Sequence, residues 1–177
     1  MSNQVILWIS LIAPWLTLFL MPRESIKRYL PTGLLVTVLS IIFTEIGIAN
    51  GWWAIRETTY PLALIPSYTY GAFPVLSMWI LKFLYGRFKI FVVTEVVMNI
   101  LLSFVIYPWI AGRGIKDFFI SNAGIITFGF ASAIALIAYI FQAWHEGVFV
   151  RSERRNFSEN LQPAAGKLLS KEENKKK

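Results

Sequence analysis

Residues 90–111 read IFVVTEVVMNILLSFVIYPWIA, a run of twenty-two residues with one charge, Glu95. A hydrocarbon core of roughly 30 Å takes about 20 mainly apolar helical residues to cross, and this run has that length. It is too long and too uniformly apolar for a strand, and it lacks the period-two alternation of a barrel strand. On either side of it lie four more stretches of the same kind, at 5–21, 30–50, 68–85 and 118–144. The chain of 177 residues is 56% hydrophobic and 15% charged, against roughly 45–50% and 25% in ordinary globular domains. A water-soluble core of this size could hardly bury all five stretches. The sequence therefore predicts an all-α fold, a polytopic membrane helix bundle of five transmembrane helices over residues 1–145.

The details of each stretch refine this expectation. No basic residue precedes the first run and no small-x-small site follows it, so it reads as a retained helix rather than a cleaved signal peptide. The second run contains Glu45 and closes on Gly51, Trp52 and Trp53. Residues 56–67 carry Pro61 and Pro66 and read either as an interfacial segment or as the first turn of a longer third helix. Pro74 predicts a kink in the third run, because proline removes a backbone donor and crowds the preceding turn. Residues 146–177 mix basic and acidic groups with few apolar ones and read as a basic, disordered cytoplasmic tail.

Charge distribution sets the expected orientation. With the N-terminus outside, the first inner loop holds Arg23, Lys27 and Arg28, the second region Lys82, Arg87 and Lys89, and the tail eight more basic residues. Only Arg56, Arg113 and Lys116 of the 17 remain outside, as the positive-inside rule requires. The two loops alone give six against three, so the N-out, C-in reading does not hang on the tail. Aromatic residues agree. Trp52, Trp53, Tyr60, Tyr68, Tyr107 and Trp109 fall at outer ends and Tyr29, Tyr85 and Trp144 at inner ends, although Trp8, Trp15 and Trp79 lie deeper.

Several chemistries are excluded or unsupported. With no cysteine and one histidine, His145, there are no disulfides, thiol nucleophiles or multi-histidine metal sites. No phosphate-cradling loop, metalloprotease motif or nucleophile elbow occurs. The expectation is therefore no enzyme, no catalytic residue, no metal and no cofactor. A net charge of +7 suggests nucleic acid in a soluble protein, but here the basic residues flank apolar runs. The expected partner is a lipid bilayer with anionic headgroups, met by Arg151, Arg154 and Arg155 beside Trp144.

Polar groups inside apolar runs are costly, so each invites a role. Glu45, Asn50, Trp53 and Tyr60 are predicted to line an outward-facing polar pocket roofed by residues 61–66. Lys82 and Glu95 lie at similar depth on antiparallel neighbours and are predicted to pair. Asn99, four residues past Glu95, shares its helix face and is expected to serve polar packing. Gly124, Ala131, Ala135 and Ala138 form a small-residue stripe, suited to packing within the bundle or to a homo-oligomer or other membrane-protein partner.

The entry Lys27–Arg28–Tyr29–Leu30–Pro31, Glu45 followed by Trp52–Trp53, Tyr60–Pro61, Phe73–Pro74, and Glu95, Asn99 and Tyr107–Pro108 together resemble a family. It comprises short, uncharacterised multi-pass membrane proteins of endospore-forming Gram-positive bacteria, and the resemblance covers roughly residues 20–115. It implies a bacterial plasma (inner) membrane location and no particular activity. The leading expectation is a non-enzymatic structural or partner-binding bundle. The alternatives are a small transporter or channel subunit using Glu45, Glu95 and Asn99, and a lipid-modifying enzyme.

Overall fold

The computed structural model describes residues 2–62 and 64–147. These are mostly helical. Four helices are long and apolar enough to cross a membrane: α1 (Asn3–Leu20), α2 (Arg23–Ala49), α5 (Phe88–Gly112) and α6 (Ala123–Gly147). Two shorter helices, α3 (Ser67–Tyr70) and α4 (Ala72–Leu84), follow one another across Gly71. Residues 1–139 form one compact unit. From residue 140 a second begins, of which 140–147 are described; there Gln142 Nε2 donates to Glu146 Oε1 at 3.0 Å.

The faces of α2 show how the bundle is partitioned. Tyr29, Thr32, Gly33, Val36, Ser40, Thr44 and Gly47 are buried, whereas Leu34, Val38, Ile42 and Ile46 are exposed. Small and hydroxylated residues point inward and branched aliphatics outward, the reverse of a water-soluble helix. Small inward residues let backbones approach where lipid supplies no hydrophobic drive. Gly33 illustrates this, since a Cβ there would stand 3.0 Å from Met78 Cγ on α4. Thr44 Oγ1 returns its proton to Ser40 O at 2.8 Å, so its hydroxyl costs little inside.

Two prolines organise the crossing of α1 with α3 and α4. Pro14 has no N–H to offer the carbonyl of Ser10, and Pro74 none for that of Tyr70. The Ser10 carbonyl faces Gly71, where a Cβ would come within 2.3 Å of it. The Tyr70 carbonyl accepts a hydrogen bond from Trp15 Nε1 at 3.1 Å. Trp79 Nε1 further along α4 donates to Thr17 Oγ1 at 3.0 Å. Interrupted backbone at such depth persists only where protein satisfies it, and the α1 side chains do so. The bend expected at Pro74 is thus a break three residues earlier, because close approach needs the bare Gly71 while Pro74 sits in the first turn of α4.

At one end of the bundle two short strands, β1 (Trp53–Ile55) and β2 (Lys116–Phe118), pair antiparallel with Trp53 opposite Phe118 and Ile55 opposite Lys116. This ribbon was not expected, and it takes Phe118 out of the apolar run assigned to the last helix, which starts instead at Ala123. The segment before α3 is a loop and not a helical turn; Thr59 and Ser67 hydroxyls hydrogen-bond within it. The N-terminus is tied to it as well. Asn3 Nδ2 and Gln4 Nε2 donate to the two carboxylate oxygens of Glu57 at 2.7 and 2.8 Å. At the other end Leu18, Met21, Tyr29, Val75, Met78, Leu81 and Phe91 form the main apolar cluster.

Candidate functional site

Between α2, α4, α5 and α6 lies a cavity of about 200 Å³. Along α5 its lining reaches from Phe91 to Tyr107, sixteen residues or about 24 Å of helix axis. The cavity is therefore a slot running with the helices. Phe43, Phe73, Leu76, Ile80 and Ile134 supply much of its apolar wall, and Ala131, Ala135 and Ala138 leave room on the α6 side.

Its polar character comes mainly from α5. Phe91, Asn99 and Tyr107 are buried and line it, with half-buried Glu95 in the same four-residue series, which buried Ser103 completes behind the lining. In a regular α-helix a four-residue step drifts about 40° round the axis, so such a row should wander off one face. Instead residues Leu102–Ile106 form a wider π turn, which winds less per residue and keeps Tyr107 on the cavity side. Pro108 explains where that turn falls, because it cannot donate to the carbonyl of Phe104 and crowds the turn before it.

Within the slot the hydroxyls mostly serve their own helices: Ser77 Oγ donates to Pro74 O at 2.8 Å, and Thr44 to Ser40. Asn99 Nδ2 donates to Ser132 Oγ on α6 at 3.3 Å, which ties the two helices together. Thr127 differs. It is 1% exposed, borders the cavity, and its Oγ1 has no hydrogen-bond partner among the described residues. Glu95 borders the same cavity, and among the described residues no ion pair neutralises it.

The predicted Lys82–Glu95 pair is therefore not made. Lys82 Nζ lies over the Trp79 ring, 4.4 Å from its centroid, and 5.4 Å from that of Phe83. Lys82 lies against the Trp79 and Phe83 rings, the latter 65% exposed, rather than in the slot that Glu95 borders. The predicted pocket of Glu45, Asn50, Trp53 and Tyr60 is not assembled either. Tyr60 is 87% exposed and Trp53 1% exposed. Glu45 and Asn50 are exposed, and Asn50 Nδ2 bonds back to Ile46 O at 2.7 Å. Trp53 is drawn away because its indole lies over Gly47 and donates to Thr44 O at 3.2 Å. Arg151, Arg154 and Arg155 lie outside the described residues.

Sequence reasoning placed Lys116 among ordinary loop charges. It is 3% exposed, with Nζ 4.1, 4.6 and 4.8 Å from the ring centroids of Trp53, Tyr107 and Phe118. Burial pushes its amine down to about 7, while the ring faces favour the cation. Tyr107 is shared: it borders both Lys116 and the slot. Only the nearby aromatics hinted at this, and their convergence depends on the ribbon. Compared with family models, with curated proteins and with solved structures, the chain matches none.

Proposed function

We propose that the chain is a five-span protein of a bacterial plasma membrane, N-terminus outside and C-terminus in the cytoplasm, in which α3 and α4 together make the third crossing. Its work is binding rather than catalysis: the bundle receives a small, mainly apolar molecule in the slot. Ser67–Leu84, broken only at Gly71, amounts to about 27 Å of helix, which supports a third crossing there and so five in all. The basic residues at the loops of the far end support the orientation. The observation that carries the binding reading is the slot itself, with Glu95 and Thr127 left without partners among the described residues on a mainly apolar wall. The same two groups favour a transport role as the second reading, since a site within the bilayer is where a carried molecule would rest.

Two measurements test this. The chain has no native thiol, so Tyr60→Cys should react in intact cells with a membrane-impermeant maleimide, and Lys177→Cys should react only after lysis. Reaction of both from one side would overturn the five-span arrangement. For binding, the neutral dye N-phenyl-1-naphthylamine should show saturable fluorescence enhancement with the protein in nanodiscs. Ala131→Leu and Ala135→Leu, which fill the slot, should abolish it. Enhancement no greater than that of empty nanodiscs would end the binding reading.

A further inference from the structure

Resting on the binding reading above, we infer that the slot is built for an apolar organic cation: an ammonium-bearing molecule whose positive group sits at Glu95 and whose hydrocarbon body lies along the slot. Three observations converge. Among the described residues the lining holds one carboxyl, Glu95, and no lysine, arginine or histidine. A phosphate, sulfate or carboxylate ligand would therefore enter with its charge uncompensated beside a carboxyl group, which disfavours phospholipid headgroups and fatty acids as occupants. A charge at this depth is costly unless neutralised by a partner, and Glu95 has no cationic one among the described residues. An incoming ammonium supplies it. Phe43, Phe73, Phe91 and Tyr107 border the same space, and aromatic faces attract cations most where water is excluded.

The second anchor is Thr127. Its hydroxyl is buried, unpartnered and on the cavity wall of α6. Asn99 on α5 bonds to Ser132, five residues further along α6. Glu95 lies one turn beyond Asn99 on the other side from Tyr107, so Thr127 and Glu95 stand at separated levels of the slot. A molecule with its ammonium at Glu95 and a hydrogen-bonding group some way along its chain satisfies both. A lining that reaches over sixteen residues of α5, about 24 Å of helix axis, favours a single chain or a row of rings over a compact, globular cation.

Displacement of the naphthylamine dye by dodecylamine and by N-dodecylacetamide tests the assignment, with the protein in nanodiscs. The two compounds share a chain and differ in charge at neutral pH. Their relative potency is compared between wild type and Glu95→Gln, so that partition into the bilayer cancels. Dodecylamine should lose about tenfold, or roughly 1.4 kcal/mol, relative to the acetamide on Glu95→Gln, and Thr127→Val should weaken ligands bearing a mid-chain hydroxyl only. Should Glu95→Gln not fold, dicyclohexylcarbodiimide labelling of Glu95 in wild type, located by mass spectrometry, replaces it; the amine should protect and the acetamide should not. Equal displacement by both compounds, unaffected by Glu95→Gln, would overturn the cation while leaving the slot a binding site. Dye binding with no displacement by either compound would also overturn it. Failure of the dye to bind at all would take both readings down together.

Discussion

Gly71→Ala should be among the most damaging single-methyl additions in this chain. An ideal Cβ at position 71 stands 2.3 Å from Ser10 O, 2.5 Å from Leu11 O and 2.6 Å from Leu11 Cα. Ordinary contact begins near 3.4 Å, so α1 must retreat by roughly 1 Å from the crossing. All three obstacles are main-chain atoms of a helix and none can rotate away. Overpacking costs about 1–3 kcal/mol when side chains can yield; here the expected loss is about 3 kcal/mol or more, because retreat also strains the Trp15–Tyr70 hydrogen bond. Gly112→Ala is the control, since nothing lies within 4 Å of its Cβ and its backbone is not left-handed. It should change stability by at most about 1 kcal/mol, in the favourable direction that helix propensity gives alanine. Both variants would be unfolded by SDS titration from mixed micelles, followed by tryptophan fluorescence and circular dichroism. A Gly71→Ala protein within about 0.5 kcal/mol of wild type, below the usual overpacking range, would refute the account of the α1 crossing.

Three further outcomes follow from contacts described above. Trp15→Phe should cost about 1–2 kcal/mol by leaving the Tyr70 carbonyl short of a donor, and less in a Pro74→Ala background, where residue 74 regains its N–H; a double-mutant cycle with no coupling would refute this. Glu57→Ala should lose about 1–2 kcal/mol, because it removes one acceptor from each amide, leaving Asn3 Nδ2 with Arg113 O and Gln4 Nε2 with Thr58 O, both at 3.0 Å. Arg56→Ala, which breaks an exposed pair with Asp117 at 2.6 Å, should cost less than about 1 kcal/mol; the reverse order in the same SDS titration would count against the cap as drawn. For Lys116 the folded amine titrates near 7 against an ordinary value of 10.5, so the unfolded state binds more protons between these limits. Stability should therefore rise with pH from about 7 toward 10.5, with the burial cost present in full below 7. The thermal midpoint of wild type minus that of Lys116→Met should increase over this window, and a flat difference would show the amine to be hydrated.

The apolar helices were legible because crossing hydrocarbon imposes both a length and a composition, and neither depends on the partner helix. Depth was legible too: Glu95 and Asn99 stood out as polar groups in an apolar run, and both border the slot. What depth does not carry is azimuth. Lys82 was expected level with Glu95 yet stacks on Trp79, because rotation about a helix axis is decided by packing that a single run of residues does not encode. Trp53 shows the converse error. A tryptophan at a helix end reads as an interface anchor, but Gly47 opens a groove that admits its indole, and that match joins positions six residues apart across a turn. Thr127 looks like any threonine until its missing partner is seen. The ribbon was least legible of all, because three-residue strands paired across more than sixty positions leave no local pattern.

That ribbon has a consequence for how the protein is made. Trp53 pairs with Phe118, and synthesis proceeds at roughly 5–20 residues per second, so some seconds separate the emergence of one strand from that of its mate. During this interval β1 must wait for its mate while α3, α4 and α5 are made, although the Trp53 indole and the Glu57 carboxylate already have partners in Thr44, Asn3 and Gln4. The strands can meet only if both helix ends, those of α2 and α5, have been delivered to the same side. A chain threaded with either helix reversed would leave the strands on opposite sides of the bilayer, unable to pair and open to proteolysis. In the five-span arrangement proposed above, this smallest element of secondary structure among the described residues would close only once α2 and α5 end on the same side.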